Sequence, residues 1–129
     1  MVRYRIGLLS LVATCAVLAW ALPAGARTTT THVSAVTHLS AVTVTAGKPS
    51  EFRFTLSKKK VPIGTVTFHV LNKGTVPHDF KINGHKTRLL SPGQSQTLKV
   101  TFKKKGSYPY LCTVTGHAIA GMKGIFKVT

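Results

Sequence analysis

Apolar residues in the body of this chain recur at every second position, and a period of two argues for strands and against a helical core. Phe52, Phe54 and Leu56 alternate with Arg53 and Thr55; Val66, Phe68 and Val70 alternate with Thr67 and His69; Leu98, Val100 and Phe102 alternate with Lys99 and Thr101. Successive side chains of a strand point to opposite faces, so each run places one face in a core and the other in water. Turn chemistry separates the runs: Gly47-Lys48-Pro49, Pro62-Ile63-Gly64, Asn72-Lys73-Gly74, Asn83-Gly84, Ser91-Pro92-Gly93 and Lys103-Lys104-Lys105-Gly106. No segment reads as a long helix. Seven to eight short strands at these intervals predict an all-β fold, an antiparallel Greek-key β-sandwich over residues 39–129.

The N-terminal residues stand outside that pattern. Arg3 and Arg5 precede a nearly unbroken apolar stretch from Ile6 to Ala21, and Ala24-Gly25-Ala26 offers the small residues a signal peptidase reads. Residues 1–26 are expected to be a signal peptide cleaved near Ala26, which makes the protein periplasmic, cell-surface or secreted. Ile6 to Leu22 is 17 residues, the lower limit for crossing a bilayer, so a retained anchor is the alternative. Val12-Ala13-Thr14-Cys15 loosely matches a lipoprotein cleavage box, but the apolar run continues past Cys15 and would leave a greasy tail. Residues 27–38 read as a threonine-rich tether. His32-Val-Ser-Ala-Val-Thr37 repeats at once as His38-Leu-Ser-Ala-Val-Thr43. An even repeat keeps equivalent residues on one strand face, and the expected strand is Leu39 to Thr45.

Export makes the cysteine count informative. Of two cysteines and two methionines, only Cys112 and Met122 lie beyond the leader. An oxidising compartment permits disulfides, yet this domain can form none within itself, so the lone thiol needs another use. Charge is equally lopsided: removing Arg3 and Arg5 leaves 16 basic residues against Glu51 and Asp79, a formal charge of +14. Such a field favours anionic partners, among them acidic redox proteins, an anionic membrane surface or a cell wall. Nucleic acid is not expected as a partner, because export removes it and no basic helix or aromatic-interleaved motif is present. The lysine triplets 58–60 and 103–105 sit at turns or strand ends, where they serve solubility and protect sheet edges.

Soft metal ligands are concentrated near the C-terminus. Cys112, His117 and Met122 follow one another at intervals of five, and Gly116, Gly121 and Gly124 would let one loop turn all three to a common point. His78 supplies a fourth group within Asn72-Lys73-Gly74-Thr75-Val76-Pro77-His78-Asp79-Phe80, where Pro77 stiffens the approach and Phe80 shares the strand parity of His78. Two imidazoles, a thiolate and a weak axial thioether form the donor set of a type 1 copper site, with zinc or a vestigial site as the duller readings. Taken singly, each of the four is as well read as a surface histidine, a buried thiol or core filling; the order and spacing of the set favour metal. His32 and His38 are read as solvent-facing, and so are His69, on the polar face of its strand, and His85, in a turn.

These motifs resemble the cupredoxins, and most closely the plastocyanin-like small blue copper proteins. The resemblance runs through Asn-x-Gly-x-x-Pro-His-Asp-Phe at 72–80, Gly-x-Tyr-x-Tyr-x-Cys at 106–112 and Gly-Met-x-Gly at 121–124, within residues 39–129. It implies the cupredoxin sandwich, one copper ion held by His78, Cys112, His117 and Met122, and one-electron transfer between redox partners. Two departures stand out. Cys-x4-His is longer than the Cys-x2-His of plastocyanins, and Asp79 replaces the usual Asn. Asp79 is expected to accept a hydrogen bond from a backbone amide near Thr113, tying the two ligand segments together. Its charge favours Cu(II) unless a lysine offsets it.

The expected protein is therefore a monomeric electron carrier and not an enzyme, since a chain this short lacks the histidines of further copper centres. Ala118, Ile119 and Ala120 around His117 would form its apolar docking patch. A copper carrier or chaperone of the exported space is the alternative function.

Overall fold

The computed structural model describes residues 38–129. The leader, most of the tether and His32 lie outside the described residues. Nine strands follow in chain order: β1 (His38–Ala46), β2 (Phe54–Leu56), β3 (Lys60–Val61), β4 (Gly64–Asn72), β5 (Lys81–Ile82), β6 (His85–Lys86), β7 (Ser95–Phe102), β8 (Gly106–Leu111) and β9 (Lys123–Val128). They form two sheets, ordered β2-β1-β4-β7 and β3-β9-β8-β5-β6. The all-β expectation holds, and three two-residue strands account for the higher count.

Alternation set the buried faces. Val42 and Val44 of β1 lie beside Phe68 and Val70 of β4, and all four are buried. Val66 and Val100, paired across β4 and β7, continue the same face. Ile82, Tyr110, Phe126 and Val128 meet it from the other sheet, and Phe80 from the residue just before β5. Phe68 is the aromatic hub, its ring centroid 5.5 Å from Phe80 and 5.3 Å from Phe126. Truncating such a ring to alanine costs about 3–5 kcal/mol. Asn83 and Gly84 both take positive φ, as a two-residue hairpin between β5 and β6 requires.

Pairing direction departs from the expectation of antiparallel sheets. β1 pairs with β4, and β3 with β9, in parallel. Hydrophobic alternation determines which face is buried but carries no information on strand direction, and residues 47–63 are long enough to cross over between β1 and β4. Phe52 also departs: β2 starts only at Phe54, and the chain turns just before it, with Arg53 N–H donating to the Ser50 carbonyl at 3.2 Å.

Register places the chemistry at one end. The last residues of β1 and β4, Ala46 and Asn72, are neighbours. Cys112 follows β8, Met122 precedes β9, and both pack with Ala46. Both lysine triplets belong to the opposite end: Lys103–Lys105 joins the end of β7 to the start of β8, and Lys60 pairs with Lys127 near the end of β9.

Candidate metal centre

Asn72 shapes the segment that delivers His78. Its buried side-chain nitrogen donates to the Val76 and Leu90 carbonyls, both at 2.8 Å, and its oxygen accepts the Gly74 amide at 2.8 Å. Every polar group of the amide is thereby used, which a buried asparagine requires. His78 is then clamped to Leu90 by two backbone hydrogen bonds of 3.0 and 2.8 Å. Phe80, fully buried against Phe54 and Phe68, anchors the far side as its parity implied.

The second ligand segment closes on itself. Cys112 N–H donates to the Met122 carbonyl at 3.0 Å, and Met122 N–H donates to the His117 carbonyl at 2.9 Å. Gly116 and Gly121 have φ of 83° and 109°, which a side chain would resist. Gly124 does not bend the loop as expected. It lies in β9, where a Cβ would overlap the Tyr110 hydroxyl, so its role is to admit that ring.

These paths gather three ligand atoms. A histidine nitrogen of His78, one of His117 and the Cys112 sulfur all lie within 4.8 Å of one another. His78 Nδ1 is 3.2 Å from His117 Nδ1, which is 3.5 Å from Cys112 Sγ. Met122 is fully buried beside Cys112, while His117 alone of the four is partly exposed. Both rings turn Nδ1 inward, and a thiolate-forming sulfur completes a donor set suited to copper. His38, His69 and His85 lie outside the cluster; His69 Nδ1 instead meets Thr97 Oγ1 at 3.2 Å on the outer face of the sheet.

Protonation follows burial. Burial pushes the Cys112 thiol up and, together with the nearby His78, holds His117 below the usual imidazole value. A neutral His117 is ready to bind a metal, whereas Cys112 must lose its proton to do so. Asp79 accepts the Thr113 amide at 2.6 Å and the Thr113 hydroxyl, and its other partner is Lys86 at 3.3 Å. Burial alone would raise its carboxyl, but these partners hold it below the ordinary range. The bond to the Thr113 amide is the one expected, and Lys86 is the lysine that stands against the carboxylate.

Residues 51–53, outside the ligand motifs, also reach the centre. Glu51 Oε1 lies 2.8 Å from His78 Nε2. The Phe52 ring meets His117 edge-on at 4.9 Å, and the Arg53 guanidinium lies against Gly121. Glu51 is held down to about 2, chiefly by the Thr75 amide, against the opposing effect of burial and with further help from His78. A sequence signal existed: a chain with 18 basic residues retains two acids, and both stand here.

The chain matches the family model described as a cupredoxin-like domain over residues 7–123. It belongs to the cupredoxin family. Auracyanin-B of Chloroflexus aurantiacus is 42% identical to this cupredoxin over 43 residues, a stretch covering 33% of this chain and 18% of that relative. A solved structure of auracyanin B is 24% identical, with 70% of this chain and 88% of the other covered and a TM-score of 0.60. Rusticyanin from Thiobacillus ferrooxidans is 22% identical over 70% of this chain and 77% of its own, with a TM-score of 0.58. Both structures share the cupredoxin's sandwich.

Proposed function

We propose that this cupredoxin is an exported electron carrier, monomeric and without a catalysed reaction of its own, that holds one type 1 copper ion through His78, Cys112, His117 and Met122. The observation that carries the reading is the convergence of two imidazole nitrogens and one cysteine sulfur within 4.8 Å, on segments clamped by backbone hydrogen bonds. Copper in such a set supplies a one-electron Cu(I)/Cu(II) couple. The protein's part is to hold the donors still: Leu90 clamps His78, Asn72 shapes its approach, and the Cys112–Met122 hydrogen bond closes the loop. A fixed site needs little rearrangement when its charge changes.

His117 is the reading's route for electrons, because it is the partly exposed member of the set. Ile119 is 90% exposed and Val76 36% on the ligand-bearing segments, and Phe52, which meets His117 from the neighbouring connection, is 38% exposed, so apolar side chains face solvent there. A small, transient contact with an acidic redox protein fits that surface, and the strong positive charge would speed encounter at low salt. Contact with an anionic membrane or cell wall is compatible with the lysine triplets at the far end.

Optical and electron paramagnetic resonance spectra of the copper-loaded protein, before and after ascorbate, test the proposal. An intense blue absorption with the compressed copper hyperfine splitting of a thiolate site, both lost on reduction, is expected. Ordinary Cu(II) spectra, or preferential retention of zinc, would overturn it. Slow metal exchange alongside fast electron self-exchange separates an electron carrier from a copper-delivering chaperone.

A further inference from the structure

Glu51 and Asp79 are the chain's two acids, yet their surroundings differ. Asp79 has Lys86 as its ion-pair partner, whereas among the described residues Glu51 pairs with no lysine or arginine and meets the imidazole of His78 instead. Glu51 is carried by the connection between β1 and β2, 27 positions from His78. Its side chain is 26% exposed and held by more than one contact. Both carboxylate oxygens accept the Thr75 amide at 2.9 Å, Oε2 accepts the Thr75 hydroxyl at 2.9 Å, and Oε1 accepts the Val76 amide at 3.2 Å. Gly74 completes the cradle. A Cβ there would overlap Glu51 Oε1 and stand 2.8 Å from His78 Nε2.

An ionised carboxylate only accepts hydrogen bonds, so the 2.8 Å contact requires the proton of His78 on Nε2. In the neutral ring, the form that binds a metal, Nδ1 is then the bare nitrogen, and it is the atom that faces His117. Histidine ligands are commonly oriented this way, by a hydrogen bond from the ring nitrogen that does not bind metal. We infer that Glu51 is a positioning residue of the metal centre, selecting the His78 tautomer that turns Nδ1 to the metal and biasing the bound copper toward its oxidised state by its negative charge. The first half concerns the protein's own hydrogen bonding; the second rests on the copper reading above. A dull alternative makes Glu51 solely the anchor of the 74–76 turn.

Full-length protein with Glu51→Gln, Glu51→Asp and Thr75→Val distinguishes them. Nitrogen-15 spectra of the copper-free wild type should show His78 protonated at Nε2 and bare at Nδ1; the opposite tautomer overturns the inference whatever metal the site takes. In the copper form, Glu51→Gln should remain blue but shift the Cu(II)-to-Cu(I) affinity ratio about tenfold toward Cu(I), a rise in potential of about 59 mV. Total copper affinity should fall about tenfold or more. Glu51→Asp keeps the charge and should stay near the wild-type potential. Thr75→Val removes a turn contact without touching His78 and should leave the potential in place. Equal shifts in Glu51→Gln and Thr75→Val, or none in Glu51→Gln, would reduce Glu51 to an anchor. A wild type that fails to turn blue would instead sink the copper reading, with the tautomer measurement still deciding the first half. If Glu51→Gln does not fold, Glu51→Asp at a markedly higher potential would count against the charge argument.

Discussion

The loop from Cys112 to Met122 and the connection from Gly47 to Arg53 approach the same centre by opposite means. The loop brings Cys112, His117 and Met122 in one short stretch and closes on itself through backbone hydrogen bonds. The connection brings no ligand, yet Glu51 meets His78, Phe52 meets His117 and Arg53 meets Gly121. Metal chemistry restricts ligands to a few residue types, so they are visible as a pattern. Orientation and charge can be supplied by any residue that arrives at the right place, and those arrive from elsewhere in the chain.

Removing a ligand from the loop should have the largest effect. Cys112→Ser is expected to abolish the intense blue absorption and the thiolate signature in electron paramagnetic resonance; a blue variant at normal potential would break the assignment. Gly74→Ala tests the connection with the Glu51 and His78 side chains chemically unchanged but crowded apart. Its Cβ must displace the carboxylate, and copper affinity measured by competition with a chelator should fall about tenfold or more. Loss of the partly buried hydrogen bonds at Asp79 is a smaller step. Asp79→Ala leaves the Thr113 amide without its partner and should destabilise the copper-free protein by about 1–3 kcal/mol in urea unfolding.

Phe52→Ala sharpens the contrast between structure and docking. Because Phe52 is 38% exposed, its truncation should cost less than a buried phenylalanine does, under about 3 kcal/mol, while slowing electron exchange through His117. The smallest effect concerns acid. Glu51 has a native value of about 2 against 4.5 for an ordinary glutamate, so its stabilisation is complete above 4.5 and is lost as pH falls toward 2. Urea unfolding of the copper-free protein across that window should show stability falling with pH, and falling less steeply in Glu51→Gln.

Strand identity was largely legible. Phe68, Val70, Val100 and Phe102 are buried as their alternation implies, and the Asn83-Gly84 hairpin takes the backbone conformation its residues favour. Phe52 was misplaced in a strand, because alternation continues through Phe52-Arg53-Phe54 although the backbone turns at Ser50. In the site, His78, Cys112 and His117 were legible and the structure gathers them. Asp79 was legible through its place beside His78. Glu51 was not, since nothing local to it signals a histidine 27 positions away; only the scarcity of acids pointed to it.

Residue type and order were enough to select an all-β sandwich and a soft donor set, because side-chain period and ligand chemistry are local properties. Tertiary structure decided the parallel pairing of β1 with β4, the side of Gly124 that Tyr110 fills, and the meeting of Glu51 with His78. Each depends on which distant segments pack together, and that is settled by burial across the whole core and by loop lengths rather than by any residue's neighbours in sequence.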